Sequence, residues 1–251
     1  MSFLKMLFLS ITLLYASQSF GQLPKTVSKI KPAIVAIGIF NPMGTPRLKL
    51  VGTGFVIQPG NRVVTNYHVI SSALSETERE SYVVISGSGN KIQQHDIVKR
   101  ALSPAHDLAV LTIGQTLPAL TLVAQDTLVA EGSDIAFTGF PITQVLGLYP
   151  ATHRGIIAAH TPVAIPVDHS SNLQSVAIRR LGAPYTVYQL DAVAYPGNSG
   201  SPLYLPSTGE VIGVINMVHV KTTREAVLSD PSGISYAIPI EHVKSLLTEK
   251  P

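Results

Sequence analysis

Short apolar runs separated by clusters of Gly, Pro, Asn and Ser recur along most of the chain. Runs at 27–40, 54–57, 62–65, 82–85, 97–101 and 108–113 have the length and β-branched content of strands. Residues 114–120, Gly-Gln-Thr-Leu-Pro-Ala-Leu, break the pattern and read as a crossing between two halves. A second set follows at 134–137, 154–160, 187–192, 202–205, 211–218 and 234–238. Helical patterning is confined to 69–73 and to the tail, 239–249. There Pro239 opens the segment and Val243, Leu246 and Leu247 share one face. No repeat or low-complexity tract interrupts the series. The pattern alone predicts an all-β chain with two sets of strands.

Composition narrows the function classes. The chain has 251 residues, 45% hydrophobic and 13% charged, enough for a sizeable core and against disorder. The net charge is +3. Basic residues are scattered apart from Arg179-Arg180, so a nucleic-acid partner is not expected. There is no cysteine, which leaves only histidine and carboxylate as metal ligands. His153, His160 and His169 cluster in sequence, but their spacing fits no zinc motif. They read as surface or loop histidines, with no metal and no cofactor expected.

Residues 1–21 have the layout of a secretory signal peptide. A basic start up to Lys5 precedes an apolar run from Met6 to Leu14, and Ser19-Phe20-Gly21 supplies small residues before a cut at Gln22. That run is about half the ~20 residues a membrane span needs. The expectation is export, to a periplasm or the medium, with no stable membrane anchor after cleavage. The oligomeric state is not legible.

Candidate chemistry is concentrated in Tyr195-Pro196-Gly197-Asn198-Ser199-Gly200-Ser201-Pro202. A serine between glycines can sit on a tight turn that aims two N–H groups at one point, the geometry of an oxyanion hole beside a hydroxyl nucleophile. The same wording also suits an ordinary turn. Upstream lie Thr65-Asn66-Tyr67-His68 and His106-Asp107-Leu108-Ala109-Val110-Leu111. The order is therefore His, Asp, Ser. Serine catalysis needs a base to take the hydroxyl proton and a carboxylate to orient that base. Asp96, in His95-Asp96-Ile97-Val98, is the rival carboxylate. Asp107 is preferred because a buried strand follows it, and His106 is expected to point to the opposite face of that strand.

Five segments together resemble the HtrA/Deg-type trypsin-like serine proteases. Gly52-Thr53-Gly54-Phe55-Val56 with Val64-Thr65-Asn66-Tyr67-His68-Val69 is similar to their first signature. Asp107-Leu108-Ala109-Val110-Leu111, Gly139-Phe140-Pro141, Gly197-Asn198-Ser199-Gly200-Ser201-Pro202 and Tyr236-Ala237-Ile238-Pro239 resemble the rest. The resemblance runs from about residue 27 to 247. It implies two six-stranded antiparallel β-barrels of trypsin type, about 27–115 and 120–240, within a protease domain at 22–251, and a short C-terminal helix. It assigns Ser199 as nucleophile, His68 as general base and acid, and Asp107 as its orienting carboxylate. The N–H groups of Gly197 and Ser199 would form the oxyanion hole. Protein or peptide substrates follow, with Val193, Ile215 and Met217 lining the pocket for the residue before the scissile bond.

Departures qualify the resemblance. Asn198 stands where vertebrate trypsins have an Asp that pairs with a new N-terminus, so activation by N-terminal insertion is not expected. The long stretch 161–186 is instead a candidate regulatory loop. The chain ends about twelve residues after Pro239, so no PDZ module is expected. Val193, not Asp, lies six residues before Ser199. Cleavage after Lys or Arg is thereby disfavoured, and an apolar preference is the reading. Two alternatives stay open: a glutamyl-specific or toxin-like endopeptidase of the same fold, with His219 as its weak substitute for a carboxylate-binding histidine, and a non-catalytic binding or chaperone module.

Overall fold

Twelve strands close into two antiparallel barrels among the residues described in this computed structural model, 22–142, 147–163, 185–216 and 233–248. The first barrel contains β1 (Ile34–Phe40), β2 (Leu48–Ile57), β3 (Arg62–Asn66), β4 (Ser81–Ser88), β5 (Lys91–Ser103) and β6 (Leu108–Ile113). The second contains β7 (Asp134–Gly139), β8 (Ala151–Pro162), β9 (Thr186–Asp191), β10 (Pro202–Tyr204), β11 (Val211–Asn216) and β12 (Ile234–Pro239). The circular order is β1-β2-β3-β6-β5-β4 in one and β7-β8-β9-β12-β11-β10 in the other. Strand for strand, the two barrels have the same topology. Closure removes the free edges that would otherwise invite pairing with another chain. The expected all-β fold of two six-stranded barrels is the fold observed.

The least polar strands are the ones covered on both sides. All six residues of β11 are buried, as are five of six in β6. That explains why Leu-Ala-Val-Leu and Val-Ile-Gly-Val-Ile read as continuous apolar runs rather than alternating ones. Phe140, Val214 and Ile238 of the second half join the core cluster that fills the first barrel, so the barrels share packed surface. The crossing segment runs along both: Leu120 N–H donates to Val56 O, and Val123 N–H donates to Val211 O.

The N-terminal element corrects the sequence reading. The run at 27–40 was expected to be one strand. Instead α1 (Gln22–Ile30) occupies its first part and β1 begins only at Ile34. Leu23, Thr26, Val27 and Ile30 face inward, a helical spacing, while Pro32 stops the helix. Thr26 Oγ1 donates to Pro206 O of the second barrel at 2.9 Å. The C-terminal helix α2 (Glu241–Thr248) makes the opposite crossing. It leaves β12 and packs Val243 and Leu246 into the first core, each worth about 2 kcal/mol in buried apolar surface. The segment 69–73 is a single short turn, His68–Ile70. His153 and His160 lie on β8, not in loops. The signal-like segment 1–21, most of 161–186, His169, Met217 and His219 lie outside the described residues.

Candidate active site

The site begins where β3 and β6 end side by side. Asn66 pairs with Leu108, so the chain leaving β3 runs along the residues before β6. Asp107 is not on the strand. It closes the turn Pro104–His106 in the left-handed region, with φ 53°. Its carbonyl accepts from Tyr67 N–H and Asn66 Nδ2, both at 3.1 Å. Its carboxylate takes two donors from one residue. His68 N–H donates to Oδ1 at 2.9 Å, and His68 Nδ1 lies 2.7 Å from Oδ2. A carboxylate only accepts, so Nδ1 carries the proton and Nε2 of the neutral ring is left as an acceptor. The Asp107 side chain is 6% exposed and that of His68 44%.

Ser199 sits in the turn between β9 and β10 and is bound to the first barrel through β2. Its carbonyl accepts from Thr53 N–H at 2.9 Å. A side chain at Gly52 would lie 2.7 Å from Val69 Cγ1 and 3.3 Å from Ser199 O. One glycine thus separates the residue after His68 from the serine.

The turn has a directional backbone. Pro196 O accepts from Ile142 N–H at 2.7 Å, and Asn198 O accepts from Ser201 N–H at 2.9 Å. In a trans peptide the N–H points opposite to the C=O. Anchoring those two carbonyls therefore turns the N–H groups of Gly197 and Ser199 the other way. Neither has a hydrogen-bond partner among the described residues. Gly197 has φ 99°, and a Cβ there would run into Phe140 O, so this position takes glycine on both counts.

Val193 is half-buried between buried Ala192 and Ala194. Ile215 is fully buried in the second core beside those alanines. Asp96 is exposed on β5, opposite Val83. Asn198 is fully buried, and its side-chain amide has no partner among the described residues. His106 departs from expectation. It belongs to the turn before Asp107, and its ring packs on His242 and Tyr185. Two residues escaped the sequence reading. Thr53, within the glycine-flanked Gly52-Thr53-Gly54, bonds to the serine turn. Ser235 donates to Ala192 O at 2.8 Å and accepts from Ala194 N–H at 2.9 Å. Among the described residues no helix is long and apolar enough to cross a membrane.

Residues 52–214 match the family model of the trypsin-like peptidase domain. The magnetosome formation protease MamE of Paramagnetospirillum magneticum is 27% identical over 225 residues, 85% of this chain and 26% of that protein. Serine protease HTRA3 of Mus musculus is 28% identical over 241 residues, 92% of this chain and 44% of that protein. The chain thus spans from a quarter to less than half of the length of these relatives. The Rv3671c protease from M. tuberculosis, solved in its active form, superposes with a TM-score of 0.62 at 24% identity, covering 90% of this chain and 86% of that one. With the barrels and the motif-bearing turns in agreement, the chain belongs to the trypsin-like peptidase domain family, as an HtrA/Deg-like member.

Proposed function

We propose that this chain is a serine endopeptidase acting through an acyl-enzyme on Ser199. The observation that carries the reading is the paired grip of Asp107 on His68, through Nδ1 and the backbone N–H. That grip leaves Nε2 as the basic nitrogen. In the acylation step Ser199 Oγ attacks the substrate carbonyl carbon while its proton passes to His68 Nε2. The carbonyl oxygen becomes an oxyanion and takes hydrogen bonds from the N–H groups of Gly197 and Ser199. The imidazolium, stabilised by Asp107, then protonates the leaving amine. Water repeats the sequence to release the acyl group and restore the serine.

The substrates are protein or peptide chains, and the residue before the scissile bond is apolar. Val193 supports that preference, since it presents no charge six residues before Ser199. The chain works outside the cytoplasm, a reading supported by the signal-like composition of residues 1–21. The test compares the wild-type chain with Ser199→Ala for casein turnover and fluorophosphonate labelling. Turnover and labelling are expected in the first and neither in the second, with unchanged circular dichroism. Labelling absent from the wild type would favour the non-catalytic module.

A further inference from the structure

Thr53 is a β-branched hydroxyl residue with no solvent exposure, set between two glycines on a strand of the first barrel. Among the described residues it makes four hydrogen bonds outside the strand ladder, two of them to the serine turn. Its N–H donates to Ser199 O at 2.9 Å. Its hydroxyl donates to Gly197 O at 2.6 Å and accepts from Phe140 N–H at 3.0 Å. Its carbonyl accepts from Thr65 Oγ1 at 2.7 Å, on the strand that leads to His68. One residue therefore ties the base-bearing strand to the nucleophile turn of the other barrel.

We propose that Thr53 is a positioning residue for oxyanion binding. The inference rests on the serine-endopeptidase reading above and identifies what holds its oxyanion donors. The peptide joining Gly197 to Asn198 is pinned at both ends. Thr53 holds its oxygen, and Asn198 N–H donates to Tyr195 O at 2.9 Å. That peptide lies between the two proposed donors, so its rotation would swing both N–H groups off a common target. The Thr53 hydroxyl gives its single proton to Gly197 O and takes one from Phe140 N–H, so both bonds depend on the same oxygen. A hydroxyl-free residue of the same shape would leave Gly197 O and Phe140 N–H unpaired in a buried site, and the turn would gain freedom to rotate.

Thr53→Val removes the hydroxyl and keeps the shape, whereas Thr53→Ser keeps the hydroxyl. Oxyanion contacts form in the transition state, so the loss should fall on kcat. In Thr53→Val, kcat on a peptide substrate should drop about tenfold or more while KM stays within about twofold. Thr53→Ser should recover kcat to within about threefold of wild type, since its hydroxyl can make the same two bonds. Fluorophosphonate labelling of Ser199 should slow in parallel with kcat. Should Thr53→Val not fold by circular dichroism, Thr53→Ala against Thr53→Ser carries the same comparison. An unchanged kcat in the hydroxyl-free variant, a change confined to KM, or a serine variant as slow as the valine one would overturn the role of Thr53 alone. A wild-type chain that is never labelled at Ser199 would overturn the endopeptidase reading and this inference with it.

Discussion

His106 and His242 stack their imidazole rings with centroids 4.3 Å apart and planes 22° from parallel. The first is the residue before Asp107, and the second lies in the first turn of α2. Tyr185 meets both edge-on, at 5.0 Å and 4.8 Å between centroids. The C-terminal helix is thus fastened beside the candidate triad carboxylate by a contact that cannot carry two positive charges cheaply.

That contact should make stability depend on pH. Burial, and then the charge of His106, push the His242 pKa from 6.5 down to about 4. Glu241 Oε1 lies 3.7 Å from Nε2, too far for a hydrogen bond to counter this. Between pH 6.5 and 4 the folded chain keeps His242 neutral while the unfolded chain takes up a proton. The unfolded state then binds more protons, so stability rises with pH across this window and is lost as pH falls through it. Burial lowers the His153 pKa as well, with the same sign. The His242 contribution is on the order of 3 kcal/mol when complete. The melting temperature should fall several degrees more between pH 7 and 4.5 in wild type than in His242→Gln, by circular dichroism. Parallel curves for the two proteins would count against His242 as the cause.

The sequence pattern carried the barrels because strands of period two, bounded by turn residues, need no distant information. It misassigned α1 because Val27 and Ile30 suit a strand as well as a helix. Only the contacts of Thr26 and Ile30 with Pro206 and Gly209 of the second barrel decide between the two. His106 was misplaced for another reason. Strand alternation was extended one residue too far, to an Asp107 that in fact adopts φ 53°. The local wording pointed to His68, Asp107 and Ser199 as candidates. Thr53 was invisible at that level because its hydroxyl meets Gly197 across 144 positions.

Asp107→Asn should cost activity far more than stability. The carboxylate offers two acceptors to two donors of His68. An asparagine offers one acceptor and one NH2 group. If its oxygen stays with the backbone N–H, its NH2 faces Nδ1, which must then give up its proton. The ring is left with Nε2–H, which cannot accept from Ser199. A loss in kcat of about 10³–10⁴-fold is expected, by analogy with trypsin-type triads. Steady-state kinetics near pH 7, alongside a melting curve, would check it. A loss below tenfold would argue that another group orients His68.

Gly200→Ala should damage the fold around the nucleophile. Gly200 has φ 87°, and a Cβ there would collide with Thr53 O and lie 2.5 Å from Thr65 Oγ1. The left-handed backbone costs about 1–2 kcal/mol for a non-glycine residue. The collision with backbone adds about 1–3 kcal/mol, because the struck atom is held in a strand. At roughly 2–4 °C per kcal/mol, the melting temperature should drop by about 4–20 °C. A variant melting within 2 °C of wild type would show that β2 gives way more easily than its hydrogen bonds imply.

The apolar preference is the prediction closest to substrate choice. Val193 lies between Ala192 and Ala194, whose backbone groups are both held by the Ser235 hydroxyl, at 2.8 Å and 2.9 Å. The segment carrying Val193 is therefore fixed, and an aliphatic surface is what it presents. Among the described residues a Glu, Lys or Arg side chain entering beside Val193 loses hydration without a charged partner next to it, which costs several kcal/mol unless water follows it in. An aliphatic side chain gains about 25 cal/mol for each Å² it buries. One decade in rate needs only ~1.4 kcal/mol, so Val, Ala, Leu or Met before the scissile bond should outpace charged residues at least tenfold. A peptide library randomised at that position and read by mass spectrometry measures the ranking directly. Ser235→Ala should flatten it, because Ala194 N–H and Ala192 O lose their shared partner and Val193 is free to shift. Dominant cleavage after Glu would instead favour the glutamyl-specific reading, with His219 as the first residue to replace.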